Sequence, residues 1–146
     1  MTPDAETIFT SDEYGVCRMW KVKTQELVKD FSKEHAGGVR KCYMHPNGHY
    51  LFTTGVEKGD MKQWRIDNKT LVKDYGEIHP DWIMCVTFSM DGIFVITCGA
   101  KGCIKQFDVE SLKQVHDYGK VHQGFISACA MKAPKCIEDT DHRLPI

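Results

Sequence analysis

Short runs of apolar and β-branched residues recur along this 146-residue chain and predict β-strands separated by tight turns. Two of these runs end in Asn47-Gly48 and Asp91-Gly92. Such dipeptides supply the positive φ that a tight turn requires. No long window shows the 3.6-residue period of an amphipathic helix, so the pattern favours an all-β chain.

A seven-residue sequence motif occurs three times at regular intervals. It ends at His35, His79 and His122, which are 44 and 43 residues apart. A fixed period of this size indicates one supersecondary unit copied several times. Aligning the copies gives four short strands in each unit, which is the strand count of a propeller blade.

The aligned copies predict about twelve strands. The predicted strands of the two complete units are residues 39–44, 50–54, 61–66 and 71–75, then 83–88, 93–98, 103–109 and 114–118. Three strands of an earlier unit precede them, and one first strand, residues 126–131, follows them. The prediction is therefore two complete four-stranded blades with partial blades on both sides.

Each unit resembles the WD repeat of G-protein-beta-like propellers. That repeat carries a His before the first strand, a hydroxyl residue on the second and a Trp that ends the third. The matching residues are His35, His79 and His122; Thr10, Thr53 and Thr97; and Trp20, Trp64 and Phe107. The resemblance covers residues 1–131 and implies a partial propeller in which these side chains have structural roles. Residues 132–146 lose the pattern, and we expect a disordered polar tail.

The units depart from the family at one network position. Family blades often carry an Asp before the third strand, which completes a hydrogen-bond network with the His, the hydroxyl residue and the Trp. The aligned positions hold Tyr14, Lys58 and Lys101. Phe107 also lacks an indole N–H donor. We therefore expect the network to be incomplete.

Charge and cysteine content predict what kind of partner the chain binds and where in the cell it is located. The formal net charge is −1, and the basic residues form no stripe, so neither nucleic acid nor a membrane surface is expected as a partner. The N-terminus has no signal-peptide pattern. The cysteine count is seven, an odd number, which indicates reduced thiols in a cytoplasmic protein.

No motif in the sequence predicts catalysis, a cofactor or a metal. There is no nucleophile elbow and no phosphate loop followed by a helix. Cys98 and Cys103 flank a hairpin that can bring their thiols together, but no CxxC motif adds further ligands. Cys42 and Cys129 share one repeat position with Val86 and are interpreted as small core residues.

The resemblance also implies a docking face. In the family, the loops before the first and third strands share one rim, where partners bind. Trp82, which follows Asp81, and Phe125 fall in such loops and are candidate anchors. Lys58 and Lys101 fall on the same rim and would favour acidic partners. The alternative for Trp82 is that its indole folds onto its own blade.

These observations favour a protein–protein interaction module, a non-catalytic scaffold or adaptor segment. Three blades do not close a ring, since propellers typically have at least four, so a piece of a longer propeller is expected. The alternative is a self-assembling structural protein. In that case residues 126–131 of one copy would complete the blade at residues 7–31 of another by strand exchange.

Overall fold

The computed structural model describes residues 6–132, and all regular secondary structure in this range is β. Eleven strands form three antiparallel sheets, of three, four and four strands. Blade 1 comprises β1 (Thr7–Ser11), β2 (Cys17–Lys21) and β3 (Leu27–Asp30). Blade 2 comprises β4 (Val39–Met44), β5 (Tyr50–Gly55), β6 (Gly59–Arg65) and β7 (Thr70–His79). Blade 3 comprises β8 (Ile83–Phe88), β9 (Phe94–Gly99), β10 (Cys103–Asp108) and β11 (Gln114–Lys120).

Within each blade, strands adjacent in sequence are adjacent in the sheet. This meander confirms the predicted all-β fold, a partial propeller with two complete four-stranded blades. In the described range no helix is long and apolar enough to cross a bilayer.

Apolar clusters join consecutive blades face to face. The cluster between blades 1 and 2 contains Cys17, Met19, Phe31, Val39, Leu51, Trp64 and Ile66. The cluster between blades 2 and 3 contains Phe52, Met61, Ile78, Ile83, Val86, Val95, Phe107 and Val109. Successive side chains of a strand point to opposite faces. Leu51 and Phe52 of β5 therefore enter different clusters, and the middle blade is buried on both sides.

The turns between first and second strands also join two blades. Gly48 and Gly92 have φ values of 76° and 75°, a region that favours glycine. The His45 ring lies between them and donates a hydrogen bond from Nε2 to the Gly92 carbonyl at 2.8 Å. A Cβ on Gly92 would stand 2.7 Å from His45 Cε1, so this contact requires glycine.

The outward faces of blades 1 and 3 lack this cover within the described range. Trp20 occupies the repeat position of Trp64 but is only half-buried, whereas Trp64 is 4% exposed. Tyr118 occupies the repeat position of Tyr75 and is 52% exposed, whereas the Tyr75 ring packs edge-on against Phe107. Equivalent side chains are therefore core residues in the middle of the segment and surface residues at its ends.

The predicted twelfth strand, residues 126–131, belongs to none of the sheets. A strand forms by pairing with a neighbour, and the described chain offers this segment no following strand. The segment nevertheless contacts blade 3, because the Cys129 Sγ lies 2.9 Å from the Cys85 Sγ. Ile126 of the same segment is buried. The predicted disordered tail, residues 132–146, lies outside the described residues except for Lys132.

Candidate functional site

Four side chains of blade 2 form a continuous hydrogen-bond network. His35 Nδ1 lies 2.6 Å from Asp60 Oδ2, and His35 Nε2 lies 2.7 Å from Thr53 Oγ1. Trp64 Nε1–H donates to Thr53 Oγ1 at 2.9 Å. Because a carboxylate only accepts, Nδ1 carries the proton, and in the neutral ring Nε2 accepts from the Thr53 hydroxyl. The network fixes the loop at His35 to the second and third strands.

The prediction that this network is incomplete is wrong for blade 2. The sequence alignment set Lys58 at the aspartate position, but β6 begins at Gly59 and its second residue, Asp60, supplies the carboxylate. The absence of a side chain at Gly55 leaves the space that this carboxylate fills. Burial raises the pKa of Asp60, but the hydrogen bond and charge of His35 outweigh burial, and the net shift is downward.

Blade 3 keeps only part of the network. His79 Nε2 lies 2.8 Å from Thr97 Oγ1. The sheet registers place Cys103 where blade 2 has Asp60, and the indole donor is replaced by Phe107. His79 Nδ1 is buried without a hydrogen-bond partner in the described structure. Burial lowers the pKa of His79 to about 4, and the charge of Lys105 acts in the same direction.

The remaining repeat residues lie at the two ends of the described chain, in blade 1 and after blade 3. Trp20 Nε1–H donates to Thr10 Oγ1 at 3.0 Å on the outward face of blade 1. His122 is exposed, and within residues 6–132 its ring has no hydrogen-bond partner. The structure therefore brings the network residues together in blade 2, partly in blade 3, and as a Trp–Thr pair in blade 1.

The loops before the first and third strands lie side by side in blades 2 and 3. The Val56 N–H donates to the Gly38 carbonyl at 3.0 Å, and the Ala100 N–H donates to the Trp82 carbonyl at 2.8 Å. We call these loops, together with the corresponding loop before residue 126, the rim. The rim comprises residues 36–38, 56–58, 80–82, 100–102 and 123–125.

Trp82 lies on the rim at the junction of two blades. The Asp81 carboxylate accepts the Trp82 backbone N–H at 2.8 Å, which fixes the loop. The guanidinium of Arg40, from β4 of blade 2, lies 4.5 Å from the centre of the indole ring. The indole is 43% exposed. It therefore contacts the neighbouring blade on one side and remains accessible on the other.

The other predicted rim residues are exposed. Phe125 is 64% exposed. Lys101 is exposed and has no ion-pair partner in residues 6–132. Lys58 is also exposed, and its Nζ lies 3.4 Å from Glu77 Oε1. That pair is more than half exposed, so it contributes little to stability.

The cysteines are arranged differently from the prediction. Cys98 does not face Cys103; its Sγ lies in a group with those of Cys85 and Cys129, all within 4.8 Å of one another. Cys85 and Cys98 are direct partners in the register of β8 and β9. The sequence could have revealed this pair, because aligning the two predicted strands of the hairpin residue by residue places Cys85 opposite Cys98. Cys129 comes from the segment that the sequence assigned to the next blade.

A family model agrees with this architecture. The model for the WD domain, G-beta repeat, matches residues 25–65 and 70–108, which together are more than half of the chain. The chain belongs to the WD40 repeat family. Repeats of this family form propellers that generally mediate protein interactions and are generally non-catalytic. No curated protein sequence matches the chain.

Solved propeller structures resemble these WD40 repeats in fold. Hydrazine synthase of Kuenenia stuttgartiensis is 20% identical, with a TM-score of 0.69 over 85% of this chain and 35% of that chain. The computationally designed Ika8 protein is 20% identical, with a TM-score of 0.74 over 87% of this chain and 37% of that chain. At this identity the likeness shows the fold alone. The chain spans little more than a third of either structure.

Proposed function

We propose that this chain is a non-catalytic protein–protein interaction module that docks partners on the rim. The fold supports this proposal, because WD40 repeats generally bind proteins and generally lack catalysis. The blades provide a rigid scaffold, and the loops carry the specificity. A cytoplasmic location remains part of the proposal and rests on the odd cysteine count.

The exposed and pre-ordered indole of Trp82 is the observation that supports the proposal most strongly. Arg40 stacks on one face of the ring and Asp81 fixes its backbone, so little conformational freedom is lost when a partner covers the other face. Tryptophan is enriched among the residues that dominate binding energy. Phe125, on the next rim loop, offers a second exposed aromatic ring.

The charge of the rim favours partners with acidic side chains. Lys101 is exposed and unpaired among residues 6–132, whereas Lys58 shares its charge with Glu77. Lys101 is therefore the stronger candidate for an interfacial ion pair. Rim charges act mainly on the rate of association, so this preference should weaken with added salt.

The test measures binding and stability in the same variants. Partners are identified by affinity capture from the source cells, and their dissociation constants are measured with the purified chain. We expect Trp82→Ala to weaken binding by more than ~1 kcal/mol while the unfolding free energy changes by less than ~0.5 kcal/mol. Lys101→Glu should slow association with an acidic partner.

Met90→Ala is the matched control. Met90 is 66% exposed in the turn between β8 and β9, outside the rim. Its removal should leave the dissociation constant unchanged. Equal weakening by Met90→Ala, or a loss of stability by Trp82→Ala as large as its loss of binding, would contradict the proposal.

Self-assembly is the second candidate, and the exposed end faces favour it. Trp20 is half-buried and Tyr118 is exposed, although their repeat equivalents are covered in the middle of the segment. Pairing of the two end faces between copies would cover both. Light scattering across a concentration series tests this candidate: a discrete mass of about twice 16.7 kDa supports it, and a monomer at all concentrations contradicts it.

A further inference from the structure

Three cysteine thiols from separate parts of the chain meet beside blade 3. Cys85 lies on β8, Cys98 on β9 and Cys129 in the extended segment that follows Phe125. Their sulfur atoms all lie within 4.8 Å of one another, and the Cys85 and Cys129 sulfurs are 2.9 Å apart. Cys98 is fully buried, and the other two are half-buried.

The repeat does not impose this thiol cluster. At the junction of blades 2 and 3, the equivalent positions hold Lys41, Thr54 and Val86, none of which is a thiol. There the Thr54 hydroxyl donates instead to the Lys41 carbonyl. Cys129 shares its repeat position with Cys42, so Cys85 and Cys98 are the two departures from the repeat that complete the cluster next to blade 3.

We propose that Cys85, Cys98 and Cys129 form a thiolate site for one Zn²⁺ ion, with a fourth position open to water or another ligand. Thiolate is a preferred ligand of this ion, and a tetrahedral ion with Zn–S distances of about 2.3 Å holds its sulfurs roughly 3.8 Å apart. Binding would require the Cys85 and Cys129 sulfurs, now 2.9 Å apart, to separate by roughly 1 Å.

Charge favours a divalent ion over a monovalent one. Three thiolates with Zn²⁺ leave one net negative charge, whereas Cu⁺ would leave two in a half-buried site, which is costlier to desolvate. Lys41 lies close enough for its charge to favour the thiolate form of Cys85. Its ammonium group donates to the Met84 carbonyl, next to Cys85, at 3.4 Å.

The pKa values of two of the three thiols are raised. Burial raises the pKa of Cys85 to about 12, and the hydrogen bond with Cys98 raises the pKa of Cys129 above its ordinary value. Zn²⁺ binds thiolates, so metal binding releases the thiol protons. The positive charge of Lys41 acts in the opposite direction and lowers the pKa of Cys85.

Tyr43 supplies a second, independent feature of the site. Its hydroxyl is buried and has no hydrogen-bond partner in the described structure. Burial raises its pKa, and the hydroxyl lies close enough to Cys85 and Cys129 to interact with them electrostatically. Donation from this hydroxyl to a metal-bound thiolate or water would satisfy it, as outer-shell groups do in metal sites.

The metal would attach the segment at residues 126–131 to blade 3. This segment has no strand partner in the described range, and its Cys129 sulfur contacts the Cys85 sulfur of β8. A bond to a metal shared with β8 and β9 would order the segment without sheet pairing. The role is structural and does not depend on the proposed docking function.

Cobalt titration of the full 146-residue chain tests the proposal. The chain is reduced, kept anaerobic and titrated with Co²⁺, whose thiolate charge-transfer and tetrahedral absorption bands report the ligands. We expect one equivalent of Co²⁺, displaced by Zn²⁺. Cys98→Ser and Cys129→Ala should each raise the dissociation constant by at least ~100-fold, above the range typical of outer-shell changes. Because Cys129 lies outside the sheets, the Cys129→Ala variant should keep the fold of the parent chain, which circular dichroism can verify.

Cys103→Ser and Cys42→Ala are the matched controls, because both remove a thiol outside the cluster. Both should bind Co²⁺ as the parent chain does. Absence of tetrahedral cobalt bands, or equal binding by Cys129→Ala, would overturn the proposal. It would also be overturned if the reduced chain binds no cobalt while mass spectrometry finds a Cys85–Cys129 disulfide after exposure to air.

Discussion

Blades 2 and 3 share one architecture but differ in the polar network that joins loop to strands. In blade 2, Asp60, His35, Thr53 and Trp64 satisfy one another. In blade 3, the histidine is retained, but neither a carboxylate nor an indole faces it, and one ring nitrogen is left unpaired among the described residues. The difference teaches that the blade does not need the complete network to form.

Apolar packing explains this tolerance. Phe107, at the indole position of blade 3, is buried and its ring stacks edge-on with Tyr75 of blade 2 at 5.4 Å between centroids. Burying a phenylalanine stabilises the fold by about 2–3 kcal/mol. An unpaired buried polar group costs about 1–3 kcal/mol. The two magnitudes are comparable, so blade 3 folds although His79 is incompletely bonded.

The largest effect is expected from removing the carboxylate of blade 2. Asp60→Ala leaves the His35 Nδ1–H buried without an acceptor and should lower the unfolding free energy by about 2–3 kcal/mol. Urea unfolding measures this loss, and an unchanged m-value shows that the transition is the same. Cys103→Ala, at the same position of blade 3, should cost less than ~1 kcal/mol. Equal losses would contradict the difference between the blades.

A pH scan should reveal the unpaired histidine of blade 3. The pKa of His79 is about 4 in the folded chain and about 6.5 when unfolded. Between pH 6.5 and 4 the His79 ring is therefore protonated in the unfolded chain but not in the folded chain. Stability should therefore fall as the pH falls from about 6.5 to 4, by up to roughly 3 kcal/mol.

His79→Gln isolates this contribution, because it removes the titrating ring while keeping a polar group near Thr97. The free-energy difference between the parent chain and the variant should shift in favour of the variant across the same pH window. A difference that stays constant from pH 7 to 4 would show that His79 does not carry the acid sensitivity.

The smallest expected change comes from completing the network in blade 3. Gly99 occupies the repeat position of Gly55, so Cys103→Asp should find the space that Asp60 fills in blade 2. Its carboxylate would accept the His79 Nδ1–H, stabilise the chain by about 1 kcal/mol near pH 7, and raise the pKa of His79. Urea unfolding and NMR titration of His79 are the measurements.

Cys103→Asn is the neutral control for that substitution. It has the size of aspartate but no charge, so it should shift the pKa of His79 less. The prediction is contradicted if Cys103→Asp is no more stable than Cys103→Asn and the pKa of His79 is the same as in the parent chain. The residue at position 103 would then not be enough to explain the difference between the networks of blades 2 and 3.

The repeat explains why most of the fold was predictable from the sequence. The His-to-His period fixed the number of strands per blade, and Asn47-Gly48 and Asp91-Gly92 fixed the turns, because these are local properties of the chain. The aspartate of blade 2 was missed because the alignment of the repeats set the aspartate position at Lys58, two residues before Asp60. Strand ends depend on pairing with neighbouring strands, which local sequence specifies weakly.

The sequence by itself determined the all-β fold, the blade period and the repeat positions of His35 and Trp64. Only the tertiary structure decided which of these side chains are covered and which groups meet. The same Trp position is core in blade 2 and surface in blade 1, because burial depends on the neighbouring blade. Likewise, Cys85 and Cys129 meet although 44 residues separate them, since packing of one blade against the next segment brings them together.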